Sequence, residues 1–347
     1  MNYLDTLNIR TKEYFDVLEP DFPLWLVEYI NTKSMLKQQY ISITCGTIYS
    51  NLFESDYFFS SLDHAIGVAL IIWHFTHEKK QTLSGLFHDI ATPVFKHCVD
   101  FLNGDYINQE STEDLTKKII LDSPDITDLL ERDNILVEEI CNYHLYPVAD
   151  NDTPKLSSDR LEYSLSNGLF TYNLLTLDEV KEIYNDLEVQ KDEFNVDEIS
   201  FRTKSIARKF VKVTSKLSII YMEDKTRYSM QFLADIIKRL YDKNIININM
   251  LYEMRESQII DIINSSEYSD IFNIWKNASK VKSSDIMPNV YYINFKTKIR
   301  YIDPLVNGKR ISKICKIANN LINKNLLFDM SKYVYIDDIV FWFWLFK

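Results

Sequence analysis

The sequence predicts a mainly helical protein with a smaller α+β part at its C-terminal end. From the start of the chain to about residue 250, apolar residues recur at spacings of three and four, the period of an amphipathic helix. Near residue 285 the spacing changes to two, the period of a half-buried strand. A helical domain is therefore expected over 1–250 and an α+β region over 251–347, with a β-hairpin near 290–314. The chain has 347 residues, of which 46% are hydrophobic and 14% aromatic, so it can bury a sizeable core and is not a disordered chain.

Taken in order, Asp21-Phe22-Pro23 is a cap-and-proline helix start before LWLVEYI. ALIIWHFTHEKKQTLSGLFHDI holds two helices divided by the polar break Glu78-Lys79-Lys80. Ser123-Pro124 opens another helix over SPDITDLLERDNILVEEICNYHL, and the polar, turn-rich segment Pro147 to Asp159 is a loop leading into the next. RTKSIARKFVKVTSK, Arg202 to Lys216, has six basic residues and no acid. Lys204, Arg208, Lys212 and Lys216 step by four into a basic stripe, while Ile206, Phe210 and Val213 face inward. In YYINFKTKIRYID the residues Tyr291, Ile293, Phe295, Thr297, Ile299 and Tyr301 share one face, and Asn294, Lys296, Lys298 and Arg300 the other. Asn307-Gly308 then offers a tight hairpin turn.

Composition excludes several classes of function. The formal net charge of −11 disfavours broad binding of nucleic acid or anionic membrane. Nucleic acid is not an expected partner, and the 202–216 stripe is the place it would use. The six glycines are too dispersed for a Gly-rich phosphate loop, so any phosphate chemistry must use side chains or a metal. Four scattered cysteines without a CxxC pair, and an N-terminus without an apolar signal segment, point to a cytoplasmic protein with reduced thiols. The terminal IVFWFWLFK is too short to span a bilayer. With the high aromatic content it fits a tail buried on its own domain or on a second copy, and a homo-oligomer is expected.

Three separated pieces carry ionisable residues on or beside apolar helices: His64 in SSLDHAIGVAL, His88-Asp89 in GLFHDIATPVFKH, and Asp159 in LSSDRLEYSLSNG. Two imidazoles and two carboxylates suit a divalent transition metal. Their spacing alone is weak evidence, and on it satisfied core histidines and helix caps outweigh a metal site. Adjacent ligands at 88 and 89 do not share a helix face, so a helix end is expected there.

The H…HD…D order with these flanks resembles the HD-domain superfamily of metal-dependent phosphohydrolases, over roughly residues 36–170. The resemblance implies an HD-domain helical bundle in which His64, His88, Asp89 and Asp159 hold one divalent ion (Mn, Fe, Ni, Co or Mg). That ion would activate water for attack on a nucleotide or related phosphate ester, and His144 would complete a second metal site or contact the substrate. The branch that looks nearest is the deoxynucleoside triphosphate triphosphohydrolases and their uncharacterised bacterial relatives, which carry an HDxxHxxFxH-like element. His97 matches its last histidine, a general acid or phosphate contact, and Glu110 falls at the place of a further proton-handling group. Arg160 and Tyr163 match a phosphate-side cation and a sugar-side tyrosine, and His144 is expected on the substrate side. Thr92 stands where that branch has a histidine on the substrate side, Ser61 where it has an arginine, and Asn108 where it has another histidine. These departures motivate a second reading, a catalytically weak regulator that binds metal or nucleotide on the same scaffold.

Overall fold

The computed structural model describes residues 2–55, 57–99 and 115–340. It is mainly helical, with two small sheets and a C-terminal α+β portion. The helix Ser61–Thr76 is the axis of the first core. Ser60 and Asp63 cap it reciprocally: the Asp63 N–H donates to Ser60 Oγ at 3.0 Å, and the Ser60 N–H to Asp63 Oδ2 at 2.9 Å. Twelve of its sixteen residues are buried, as expected for a helix that is apolar on all sides. It stops at His77, which is left-handed, and the chain turns at Glu78 into the helix Lys79–Phe87. The two helices approach closely because residue 85 has no side chain: a Cβ on Gly85 would stand 2.2 Å from Ile72 Cδ1.

Ser123 and Pro124 do begin a helix, but it covers only Pro124–Arg132. Asn134 then takes φ 54°, and the chain continues in short 3-10 turns rather than as the long helix the periodicity predicts. After the 147–157 loop the helix Ser158–Ser166 starts on Ser157 and runs into a π-turn over Asn167–Thr171.

The first sheet has strand order β1-β2-β5-β6. β1 (Leu187–Lys191) pairs antiparallel with β2 (Asp197–Phe201), and β5 (Leu305–Val306) runs parallel to β2. Asn307 and Gly308, both left-handed, turn the chain back into β6 (Lys309–Arg310). The second sheet joins β3 (Lys282–Ser284) and β4 (Tyr292–Ile293) to a central β7 (Tyr333–Tyr335). The alternation over 291–301 makes a ladder of two residues only, Tyr292 and Ile293 opposite Tyr335 and Val334 of β7. Burial still alternates from Tyr291 to Thr297, but beyond Ile293 the chain is extended without a partner strand. Residues 297–301 are thereby free to cross the functional pocket.

Two apolar clusters result. One gathers the helices Ile9–Leu18, Ser61–Thr76, Lys79–Phe87 and Ser158–Ser166 with the first sheet and the helix Lys204–Met222. The other gathers Val94, Phe95, Cys98 and Val99 with the helices Asp224–Asp242 and Glu256–Asn264 and the second sheet. The basic stripe lies along the outside of Lys204–Met222, with Lys204, Lys212 and Lys216 exposed and Phe210 and Val213 buried. No helix of the described residues is long and apolar enough to cross a membrane. Residues 341–347, the apolar end on which an oligomer was expected, lie outside the described residues.

Candidate functional site

His64, His88, Asp89 and Asp159 come together at the N-terminal end of the Ser61–Thr76 helix. His64 is buried in its first turns. The Lys79–Phe87 helix ends just before His88, and Asp89 opens the turn that follows, which lets two sequence neighbours both face His64. Asp159 lies in the first turn of Ser158–Ser166. His64 Nε2 stands 3.2 Å from Asp159 Oδ1 and 4.0 Å from Asp89 Oδ2. His88 Nε2 stands 3.7 Å from Asp89 Oδ1 and 3.8 Å from Asp159 Oδ1. Donors about 2.1 Å from a common ion lie ~3.0 Å apart in cis and ~4.2 Å apart in trans, a range that holds each of these distances, with Asp159 Oδ1 beside both imidazoles. His64, His88 and Asp89 thus form a group that can hold a metal ion.

The surroundings orient these donors. Glu162, fully buried, takes a short hydrogen bond from His64 Nδ1 and further bonds from Tyr14 Oη at 3.0 Å and Ser166 Oγ at 3.2 Å. His88 Nδ1 donates to the Gly85 carbonyl at 2.7 Å. With both Nδ1 atoms committed, both Nε2 atoms face the centre, the outer-ring arrangement that fixes a ligand imidazole. Gly67 makes room for this: a Cβ there would lie 2.7 Å from Glu162 Cγ and 2.8 Å from its Oε1. Burial disfavours charge on His64, yet Glu162 and Asp159 outweigh it and push the imidazole up to about 10. Burial likewise opposes ionisation of Asp89, but Lys96, His88 and His64 hold its carboxyl well below the usual range. Asp159 is shifted in the same direction, burial again being outweighed by the two imidazoles.

Lys96 belongs to this cluster, and nothing in its sequence neighbourhood marks it out. Its Nζ is 2.5 Å from Asp89 Oδ2 and 3.3 Å from Ser61 Oγ. The turn that brings it there puts two consecutive non-glycine residues, Phe95 at φ 60° and Lys96 at φ 45°, in the left-handed region. Such residues cost roughly 1–2 kcal/mol each. The second core holds the turn in place: the Val94 N–H donates to the Leu251 carbonyl at 2.9 Å, and the Phe95 N–H to Glu256 Oε1 at 3.2 Å.

The cluster opens into a cavity of about 240 Å³ between the two cores. His97, His144, Arg160 and Tyr163 line it, as do Lys298 and Arg300 from the segment that crosses it, and Tyr172 and Tyr221 from the helical side. Arg160 is engaged by the neighbouring loop. Its Nη1 reaches Asp150 Oδ1 at 3.1 Å and Asn151 Oδ1 at 2.8 Å, and its Nη2 reaches the Asn151 carbonyl. His144 Nδ1 is 2.9 Å from the same Asp150. Thr92 is not brought to the cavity wall: it is buried behind it, and its carbonyl accepts from Lys37 Nζ at 3.0 Å. Glu110, like Asn108, lies outside the described residues. Sequence reasoning missed Glu162, whose one signal was an acid within an apolar helix face. It also placed Lys298 and Arg300 only on the outer side of a strand.

A second acidic group, Asp192, Glu193 and Glu198, has its charge met by protein cations. Arg310 grips Glu198 with two bonds of 2.6 and 2.8 Å and Glu193 at 2.7 Å, and Lys155 reaches Asp192 at 2.7 Å.

No protein-family model matches the chain, and no curated protein matches it in sequence. Solved structures do match it in fold. A hypothetical protein from Aquifex aeolicus aligns with a TM-score of 0.58 and 13% identity, over 91% of this chain and 93% of that one. A phosphohydrolase from Bacteroides thetaiotaomicron aligns with a TM-score of 0.57 and 12% identity, over 92% and 94%. The chain shares its fold with these two proteins, and a buried His–Asp cluster is built into it.

Proposed function

We propose that the protein is a metal-dependent phosphohydrolase that hydrolyses a nucleotide or related phosphate ester, with deoxynucleoside triphosphates the first substrates to test. The observation that carries this reading is the meeting of two imidazole Nε2 atoms and two carboxylates at the floor of a cavity, each imidazole tied down from behind. The fold shared with the Bacteroides phosphohydrolase supports it. His64, His88, Asp89 and Asp159 would hold one divalent ion (Mn, Fe, Ni, Co or Mg). When bound, such an ion makes water a nucleophile near neutral pH and offsets charge on a phosphoryl oxygen.

The chain's own residues supply the rest. In a protein of net charge −11, the cavity wall gathers Lys96, Arg160, Lys298 and Arg300, a local excess of cations that favours a phosphate ligand. Lys298 and Arg300 face the phosphates, while Arg160 adds its charge and keeps the 150–157 loop in place. His97 handles the proton of the leaving oxygen. Tyr163 and Tyr221 stand beside the sugar and base, and the Tyr221 hydroxyl, buried without a hydrogen-bond partner among the described residues, awaits a polar group of the ligand.

The test begins with metal analysis of the purified protein. Deoxynucleoside triphosphates, nucleoside monophosphates and a generic phosphate ester are then screened with Mn²⁺. Hydrolysis should fall by about 10³-fold or more in His88→Ala and in Asp89→Ala with the fold retained. Metal-loaded protein that binds nucleotide but turns over none of these compounds would favour the regulatory reading instead. Two placements motivate that reading: Thr92 is behind the wall and Arg160 is committed to its loop.

A further inference from the structure

Lys96 is a cation placed directly on a candidate metal ligand. Its ammonium meets Asp89 Oδ2 at 2.5 Å, the same oxygen that faces His64 Nε2 at 4.0 Å, and Ser61 Oγ steadies it at 3.3 Å. The phosphohydrolase reading uses Lys96 as one charge of the cavity wall and does not require its ammonium to sit on a metal ligand. Its side chain is only 10% exposed, and its backbone is left-handed at φ 45° next to Phe95 at φ 60°. A long, flexible residue is thus forced into an unfavourable conformation and buried against a carboxylate, the kind of local outlier that points to a role.

We infer that Lys96 is a tethered counter-cation that shares Asp89 with the metal. Its ammonium neutralises and orients Asp89 when no metal is bound, and it weakens the hold of the site on a divalent ion. Two cations cannot draw on one carboxylate without repelling each other, and in a buried site that repulsion is poorly screened. Metal uptake at this centre therefore means pulling the Asp89 carboxylate away from Lys96. The freed ammonium remains on the cavity wall, where a phosphate-bearing ligand would meet it. The inference rests on the proposed metal reading and concerns how tightly that metal is held.

The experiment is Mn²⁺ titration of chelator-treated protein by calorimetry, without substrate, on wild type, Lys96→Met and Lys96→Arg. Lys96→Met keeps the stem and removes the charge, and should bind Mn²⁺ about tenfold more tightly or better. Lys96→Arg keeps the charge, and should stay within about threefold of wild type. The Mn²⁺-induced rise in melting temperature should be larger in Lys96→Met, because its metal-free form has lost the partner of Asp89. If Lys96→Met does not fold without metal, Lys96→Gln takes its place in both measurements. Wild type binding Mn²⁺ with the charge-free variants binding no tighter overturns this inference and leaves the metal reading standing. Absence of Mn²⁺ binding in wild type and variants alike overturns both.

Discussion

Glu256 is a carboxyl buried under the turn that carries Lys96 and His97. Burial pushes it from its ordinary value of 4.5 up to about 7, against the bonds it accepts from the Phe95 N–H and Tyr49 Oη. Lys37, half-buried nearby, is lowered by burial from 10.5 to about 7, partly offset by Glu256. The two shifts have opposite consequences with pH. A carboxyl with a raised folded pKa leaves stability intact below 4.5 and removes it as pH rises through about 7. A lysine with a lowered folded pKa gives stability back as pH rises from about 7 to 10.5. The cost of keeping this pair buried is therefore greatest near neutrality. In Glu256→Gln the first loss disappears, so the melting temperature of the variant relative to wild type should climb between pH 4.5 and 7 and level off above that range. Melts recorded across that range that run parallel would show that Glu256 carries no such shift.

At the scale of elements, the loop that delivers Asp159 is held by the first sheet. Arg310 on β6 grips Glu198 on β2, and Glu198 Oε1 also accepts the Leu156 N–H at 3.1 Å, just ahead of the cap of the Ser158–Ser166 helix. The Asp303 N–H donates to the Pro154 carbonyl at 2.9 Å, a second tie between the same pieces. Arg310→Met leaves Glu198 buried and unpaired, so it should destabilise the fold by about 3–5 kcal/mol in denaturant titrations. Adding Glu198→Gln to that variant should recover much of the loss. None of this was legible in the sequence, where Arg310 is one more basic residue after a turn. Local signals were legible. The Ser61–Thr76 and Lys79–Phe87 helices and the helix end at His88 follow from apolar spacing and from a polar break. The helix from Pro124 came out shorter than its periodicity because the left-handed Asn134 ends the run. The strand over 291–301 came out as Tyr292–Ile293 only, where its pairing with β7 ends. The His–Asp quartet was readable as residue types in an order. Glu162 and Lys96 were not, because their roles depend on a missing Cβ at Gly67 and on a left-handed turn.

At the scale of the whole molecule, the cavity takes its floor from one core and part of its wall from the other. Arg227, almost wholly buried, fixes the crossing segment by donating to the Phe295 carbonyl at 2.6 Å, just ahead of the residues that line the cavity. If Lys298 and Arg300 face the phosphates as proposed, Arg300→Gln should raise KM about tenfold and leave kcat within about threefold, since uniform binding and not chemistry is removed. A fall in kcat at constant KM would place Arg300 among the groups that act on the transition state. The parallel pairing of β2 with β5 has a consequence for the order in which the chain matures. Ser200 is beside Leu305 and Phe201 beside Val306, so the sheet that braces the Asp159 loop is completed by residues made late in synthesis. On the ribosome, the earlier part of the chain carries His64, His88, Asp89 and Asp159 without the clasp or the cationic wall, and so without a finished cavity. The pocket is complete only once the segment 297–310 has docked on the earlier part of the chain.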